Sequence, residues 1–197
     1  MLACAMITTM EIFYVNSQHF DTKGLTKREI ELELGRLVVD YAAEKHYGLK
    51  DREVVIENKK PRFKCVSRCD SGGGAEPSTI SITQSPQLHF SISHSKNIIL
   101  AAFDTHPVGV DVEFLKERDF AAILKYLKAE GVKADMESFY TFWTAYEAKI
   151  KLQEEAKSVL TLKPLPDFIL SIASARVVEN AQIQELNRRI LGCLKKQ

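Results

Sequence analysis

The order of hydrophobic and polar residues along the chain predicts a succession of short strands and helices. In residues 9–15, apolar side chains alternate within a segment rich in strand-forming residues, which is typical of a strand. From Thr26 to Gly48, apolar residues recur every three or four positions, and this spacing predicts a helix. Thr26 and Glu29 have the spacing of a capping box, which marks the start of such a helix.

The same patterns predict most of the remaining elements. Further strands are expected at residues 53–57, 88–95, 97–103, 109–113 and 167–174, and further helices at 119–130 and from about 136 to 158. Residues 88–113 are expected to form a meander of three strands, and residues 181–194 a final helix or amphipathic tail. Residues 58–63 surround Pro61 and are predicted to turn, and the Ser-, Gly- and Pro-rich residues 67–87 to be mostly loop. This mixture predicts an α/β (α+β) fold.

Two carboxylates in residues 109–113 suggest a metal site. On a strand, Asp111 and Glu113 share one face, about 7 Å apart at Cα, while Val110 and Val112 face the other way toward a core. Oxygen ligands at this spacing suit Mg²⁺, which prefers a few carboxylates together with substrate phosphates. The alternative is an edge strand with a solvated acidic face, since charged residues are mostly exposed.

Composition and charge narrow the class of protein. The chain has 197 residues, of which 45% are hydrophobic, and its 27 basic residues nearly balance 26 acidic ones. No overall positive field attracts nucleic acid, and no apolar run approaches the length of about eighteen residues that spans a membrane. The four cysteines form neither a disulfide framework nor a paired zinc motif, so we expect reduced thiols in the cytoplasm.

Several other polar residues are candidates for binding anions. Ser93, His94 and Ser95 lie at a predicted strand end, where hydroxyls, a ring nitrogen and backbone donors can converge. Cations lie beside Pro61 and in the first turn of the helix that starts at Thr26, namely Lys60, Lys27 and Arg28. A solvated surface is the alternative for each. A Ser-His-Asp hydrolase built on Asp104 is disfavoured, because neighbouring residues on a strand point apart and the chain has no G-x-S-x-G elbow.

Three blocks in series resemble the signature motifs of the 4'-phosphopantetheinyl transferase superfamily. They are Phe90-Ser-Ile-Ser-His-Ser95, Gly109-Val-Asp-Val-Glu113 and Phe142-Trp-Thr-Ala-Tyr-Glu-Ala-Lys-Ile-Lys151. The chain is most similar to the larger, surfactin-synthetase-activating type, which implies a pseudo-two-fold arrangement of two α/β lobes, here residues 1–105 and 106–197. The third block departs from the family pattern at Tyr146, where a lysine is expected.

The resemblance implies Mg²⁺-dependent transfer of 4'-phosphopantetheine from coenzyme A to a serine of an acyl or peptidyl carrier protein, releasing adenosine 3',5'-bisphosphate. Asp111, Glu113 and Glu147 would then hold the metal, with Glu147 as general base and Lys151 neutralising the departing phosphate. By the same resemblance, coenzyme A phosphates would meet the candidate anion-binding side chains His94, Ser93, Ser95, Lys60, Lys27 and Arg28. The protein would act as a monomer, without nucleic acid or membrane. Tyr146 leaves open a non-catalytic relative that only binds coenzyme A or a carrier protein.

Overall fold

The computed structural model describes residues 9–49, 52–57, 60–65 and 88–188. Strands and helices alternate along these residues much as the hydrophobic pattern predicts. In chain order they are β1 (Thr9–Asn16), α1 (Lys27–Tyr41), β2 (Arg52–Glu57), β3 (Lys60–Cys65), β4 (His89–Ser95), β5 (Ile98–Asp104), β6 (Val108–Phe114), α2 (Phe120–Tyr126), α3 (Met136–Leu152), β7 (Ser158–Leu165), β8 (Phe168–Ser174) and β9 (Asn180–Glu185). The capping box predicted at Thr26 and Glu29 is present at the start of α1 and is confirmed.

Two sheets make up the body of the described chain. The first has the order β4-β5-β1-β9 and the second the order β6-β8-β7, while β2 and β3 form a separate antiparallel pair. Strands β4, β5 and β1 pair antiparallel, whereas β9 pairs parallel with β1. The second sheet is antiparallel throughout.

The sheets pack face to face, with a helix on each outer side. One face of the first sheet, which includes Phe13 and Phe103, packs against Val38 and other apolar residues of α1. Its opposite face packs against the second sheet, where Val110 and Val112 are fully buried. Helix α3 covers the other side of the second sheet. Because each sheet buries both faces, the protein has the mixed α/β fold that the sequence predicts.

Helix α3 approaches β6 at Gly109 more closely than a side chain would allow. A Cβ atom at this position would overlap the carbonyl oxygen of Ala148 and lie 2.5 Å from the backbone nitrogen of Leu152. Backbone atoms of a helix cannot move aside as a flexible side chain can. The glycine therefore fixes how near α3 lies to β6, two residues before Asp111.

The predicted meander of three strands is wrong. β4 and β5 do pair as a hairpin, but β6 pairs with β8 in the second sheet. The physical reason is that β5 already has a neighbour on each edge, β4 on one and β1 on the other, so that no edge remains for β6. The apolar face of β6 covers the first sheet instead of extending it.

Three boundary predictions are also corrected. Helix α3 ends at Leu152 rather than near 158, because Gln153 adopts a left-handed conformation (φ 63°) that stops the helix, and residues 158–165 form the unforeseen strand β7. Helix α2 is shorter than predicted. The predicted turn at residues 58–63 contains the start of β3 at Lys60.

The predicted C-terminal helix begins as strand β9, because β1 offers a free edge whose backbone groups require partners. Residues 189–197 and the predicted loop 67–87 lie outside the described residues.

The predicted lobe boundary at 105/106 falls between β5 and β6, where the chain passes from the first sheet to the second. However, β9 returns from the second half to pair with β1. The pseudo-two-fold relation between the halves stays a prediction. Among the helices of the described residues, none has the length and apolar character needed to cross a membrane.

Candidate functional site

The two carboxylates of β6 lie between the sheets and α3. Val110 and Val112 point into the core, so the alternation of the strand turns Asp111 and Glu113 to the other face. Asp111 is 6% exposed, whereas Glu113, closer to the strand end, is half-buried. The predicted sharing of one strand face by the two carboxylates is therefore confirmed.

Lys151, in the last turn of α3, reaches Asp111. Its Nζ donates to Asp111 Oδ1 at 2.7 Å and to Ser93 Oγ at 3.0 Å. The second oxygen of Asp111, Oδ2, is buried and has no hydrogen-bond partner among the described residues. A buried carboxylate with one free oxygen is costly unless a further cation or donor approaches it.

Glu147 lies one helical turn before Lys151 and is half-buried. Burial raises the pKa of Glu147, and the negative charges of Asp111 and, to a smaller extent, Glu113 raise it further, against the opposing effect of Lys151. Glu147 therefore interacts electrostatically with the two carboxylates of β6. A carboxylate with a raised pKa is a better proton acceptor near neutral pH.

The donor chemistry of this site suits a hard divalent cation. Asp111, Glu113 and Glu147 supply only oxygen ligands, the kind Mg²⁺ prefers, and Asp111 Oδ2 lacks a partner. The ammonium of Lys151 already occupies a cation position at Asp111. In the part of the chain that the structure describes, no three potential ligands are close enough to enclose a metal. Carboxylates repel each other when no cation lies between them, so they are expected to lie farther apart here than they would around a bound ion.

Strand β4 sends its polar side chains to two different places. Ser93 and Ser95 point toward β6, where their hydroxyls donate to Asp111 and Glu113 at 2.9 and 3.0 Å. His94 points the opposite way, and its Nδ1 lies 3.2 Å from Glu31 Oε1 on α1. The structure thus separates His94 from the two serines. Asp104 is bound by Arg176, so these residues do not form a Ser-His-Asp triad.

His94 lines a cleft of about 430 Å³ between α1 and β4. Two arginines of α1, Arg28 and Arg36, also line this cleft, together with Glu31 and a few apolar residues. Lys27 is exposed and pairs with Glu31 at 3.5 Å. Arg36 was not predicted as a site residue, although its spacing of eight residues from Arg28 puts both on one helix face.

The remaining positions singled out in the sequence are Lys60 and Tyr146. Lys60 opens β3 with its Cα opposite that of Glu57, and its side chain lies outside the described part. Tyr146, at the place of the family lysine, is 43% exposed. Its ring stacks on Phe142 and tilts against Trp143, with centroid distances of 6.0 and 6.2 Å.

Comparison with models of protein families gives no match. Comparison with curated proteins gives several relatives that carry one activity in their names. The 4'-phosphopantetheinyl transferase psf-1 of Bacillus pumilus is 26% identical over 157 residues, which cover 76% of this chain and 57% of that protein. The 4'-phosphopantetheinyl transferase Sfp of Bacillus subtilis is 30% identical over 106 residues, covering 50% of this chain and 43% of that protein. The 4'-phosphopantetheinyl transferase gsp of Aneurinibacillus migulanus is 32% identical over a shorter stretch of 72 residues, 32% of this chain and 30% of that protein.

The aligned region thus spans between 30% and 57% of the length of these relatives. The relatives share the activity in their names, and the three motifs of this chain lie in order on β4, β6 and α3. The motif-based resemblance is confirmed to this extent: the chain is similar to several curated 4'-phosphopantetheinyl transferases.

Proposed function

We propose that this protein transfers 4'-phosphopantetheine from coenzyme A to a serine of an acyl or peptidyl carrier protein, and releases adenosine 3',5'-bisphosphate. The observation that carries the proposal is the convergence of Asp111, Glu147 and Lys151 between β6 and α3. Phosphoryl transfer depends mainly on alignment and on neutralising charge, and this site offers carboxylates for a cation, a cation of its own and a proton acceptor.

The reaction is proposed to require Mg²⁺, held by Asp111, Glu113 and Glu147. The partnerless Oδ2 of Asp111 and the all-oxygen donor set support this assignment. When bound, the ion would neutralise pyrophosphate oxygens of coenzyme A.

The protein's own side chains would align the reacting groups and neutralise their charge. Glu147 takes the proton of the carrier serine as the serine oxygen bonds to the β-phosphorus. The bond between that phosphorus and the bridging oxygen breaks, and the electron pair leaves with the nucleotide. Lys151, held at the site by Asp111 and Ser93, stabilises the negative charge that develops on the phosphates.

The cleft between α1 and β4 is the proposed position for phosphates of coenzyme A remote from the transfer. Arg28, Arg36 and His94 surround it and can supply charge-assisted hydrogen bonds. Lys27, which pairs with Glu31 of this cleft, is a further candidate, and Lys60 is a candidate from the motif resemblance alone. Glu31 opposes an anion there and would have to be offset by these cations.

Mass spectrometry of an apo carrier protein incubated with coenzyme A, MgCl₂ and this protein tests the proposal. The carrier is expected to gain the mass of phosphopantetheine, and the gain should disappear when Mg²⁺ is chelated. Carriers from fatty-acid, polyketide and peptide synthesis would be tried in parallel, with Sfp as the positive control.

A specific observation favours one alternative, a relative that binds coenzyme A or a carrier protein without transfer. Tyr146 replaces a family cation and its ring is packed against other aromatic rings. Binding of coenzyme A measured by calorimetry, with no mass gain on any apo carrier, would establish that alternative. We further propose that the protein works in the cytoplasm as a monomer.

A further inference from the structure

Strands β4 and β6 meet through serine side chains rather than through backbone pairing. Each strand lies at the edge of its own sheet, so the outward amide groups of β6 need acceptors from elsewhere. Every second residue of β4 from 91 to 95 is a serine, which puts three hydroxyls on one face. These hydroxyls accept hydrogen bonds from backbone N–H groups of β6: Ser91 from Val110 at 3.1 Å, Ser93 from Val112 at 3.2 Å, and Ser95 from Phe114 at 3.0 Å. We call these three residues the serine ladder.

Two members of the serine ladder also hold carboxylates. Ser93 Oγ donates to Asp111 Oδ1 at 2.9 Å, and Ser95 Oγ donates to Glu113 Oε2 at 3.0 Å. Among the described residues, no carboxylate contacts the hydroxyl of Ser91. The ladder thus contains two positions that combine strand bonding with carboxylate bonding and one position that only bonds the strand.

The bonding capacity of Ser93 is used completely. A hydroxyl has one proton and two lone pairs. The proton goes to Asp111, and the lone pairs accept from Val112 N–H and from Lys151 Nζ. Ser93 is also only 3% exposed. A phosphate oxygen would have to break one of these bonds and enter a buried position.

We infer that Ser93 and Ser95 are positioning residues for the carboxylates of the proposed metal site, and not ligands of coenzyme A phosphates. Each serine is anchored by a β6 amide and points its proton at one carboxylate oxygen, which leaves the other oxygen for a cation. Such outer hydrogen bonds fix the orientation of ligands and strengthen cation binding. This inference rests on the proposed metal site and adds the residues that orient it.

The test uses alanine at each position of the serine ladder and measures binding of Mn²⁺, a probe of the Mg²⁺ site, to the full protein by electron paramagnetic resonance. Each variant loses one acceptor for a β6 amide, but only Ser93→Ala and Ser95→Ala lose a donor to a carboxylate. We expect both to bind Mn²⁺ about 10- to 100-fold more weakly. Ser91→Ala, the matched control, should bind within about twofold of wild type, since no ligand contact is lost.

Two results would overturn the inference. One is unchanged Mn²⁺ affinity in Ser93→Ala and Ser95→Ala, above all with a raised KM for coenzyme A, which would make the serines phosphate ligands. The other is an equal loss of Mn²⁺ affinity in Ser91→Ala, which would mean that the ladder acts only by joining the sheets. If Ser93→Ala does not fold, Ser95→Ala at the more exposed end decides the matter. Failure of wild type to bind Mn²⁺ would instead remove the proposed metal site, and the inference with it.

Discussion

The two carboxylate oxygens of Asp111 have different environments. One carboxylate oxygen accepts hydrogen bonds from Lys151 and Ser93, and the other is buried without a partner in the part of the chain that the structure describes. A fold that only needed stability would gain by exposing or replacing such a group. A buried polar atom left unpaired among charged side chains is instead typical of a site that completes its bonding with a ligand.

Asp111→Ala and Glu147→Ala are each expected to lower the rate of transfer by about 100-fold or more, the scale of losing a key electrostatic group. Stability should change by less than about 1 kcal/mol for Asp111→Ala, because the lost ion pair is offset by removal of the unpaired oxygen. Carrier modification by mass spectrometry and thermal unfolding would check both effects. Glu154→Ala, an exposed carboxylate just beyond α3, is the control. Transfer near the wild-type rate by Asp111→Ala or Glu147→Ala would contradict the metal assignment.

Tyr146→Lys is expected to raise the rate of transfer by about tenfold, because a hydrogen bond to a charged group contributes about 1.5 to 3 kcal/mol. The replacement loses the aromatic contacts of the tyrosine ring, so Tyr146→Met serves as a control that loses them without adding a charge. Steady-state kinetics with one carrier would compare the three proteins. A lysine variant no faster than the methionine variant would mean that no cation is needed at this position.

At the scale of elements, the contact of α3 with β6 sets the geometry of the site. Asp111 and Glu113 come from β6, and Glu147 and Lys151 come from α3, so the distance between the two elements determines how the four side chains meet. The helix is placed by the absence of a side chain at Gly109 and by a small apolar cluster in which Ala148 and Leu152 of α3 pack against Ala173 of β8.

Gly109→Ala is expected to lower the free energy of unfolding by about 1 to 3 kcal/mol, the cost of overpacking, because α3 must move away from β6. The same movement should reduce transfer, since Glu147 and Lys151 move with the helix. Gly35→Ala in α1 is the matched control: its Cβ would lie 3.8 Å or more from its neighbours, and alanine is the better helix former by about 1 kcal/mol. Urea unfolding would measure both variants, and equal stability of Gly109→Ala and wild type would contradict the packing argument.

Sequence patterns predict local features of these elements well and partnerships between them poorly. Thr26 and Glu29 announce the start of α1 because capping is a contact over three residues, and the alternation at Asp111 and Glu113 fixes their common face. The pairing of β6 with β8 depends on which sheet edges remain free, which no local pattern records. The serine ladder was not predicted for the same reason: its hydroxyls on β4 bond backbone amides of β6, a strand of the other sheet.

At the scale of the whole molecule, the two sheets are joined at one further place by a buried ion pair. Asp104 ends β5 of the first sheet, and Arg176 follows β8 of the second. Arg176 Nε donates to both oxygens of Asp104, at 3.0 and 2.9 Å, and Asp104 is 5% exposed. An isolated charge at such a depth would be costly, so each partner depends on the other.

Arg176→Met is expected to lower the free energy of unfolding by about 3 kcal/mol, since it leaves the Asp104 carboxylate buried and uncompensated. Adding Asp104→Asn to this variant should recover part of the loss. Arg36→Met, which breaks an exposed pair with Asp40 at 3.5 Å, should change stability by less than about 0.5 kcal/mol. Denaturant midpoints would rank the variants, and similar midpoints for Arg176→Met and Arg36→Met would show that burial adds nothing to the pair.

The parallel pairing of β1 with β9 has a consequence for the biosynthesis of the protein. A ribosome makes β1 among the first segments and β9 among the last of the described chain, at about 5–20 residues per second. One edge of β1 therefore stays unpaired until residues 180–185 have been made and have left the ribosome. During that interval the nascent chain exposes unpaired backbone groups beside an apolar face, which is the state that chaperones protect from aggregation.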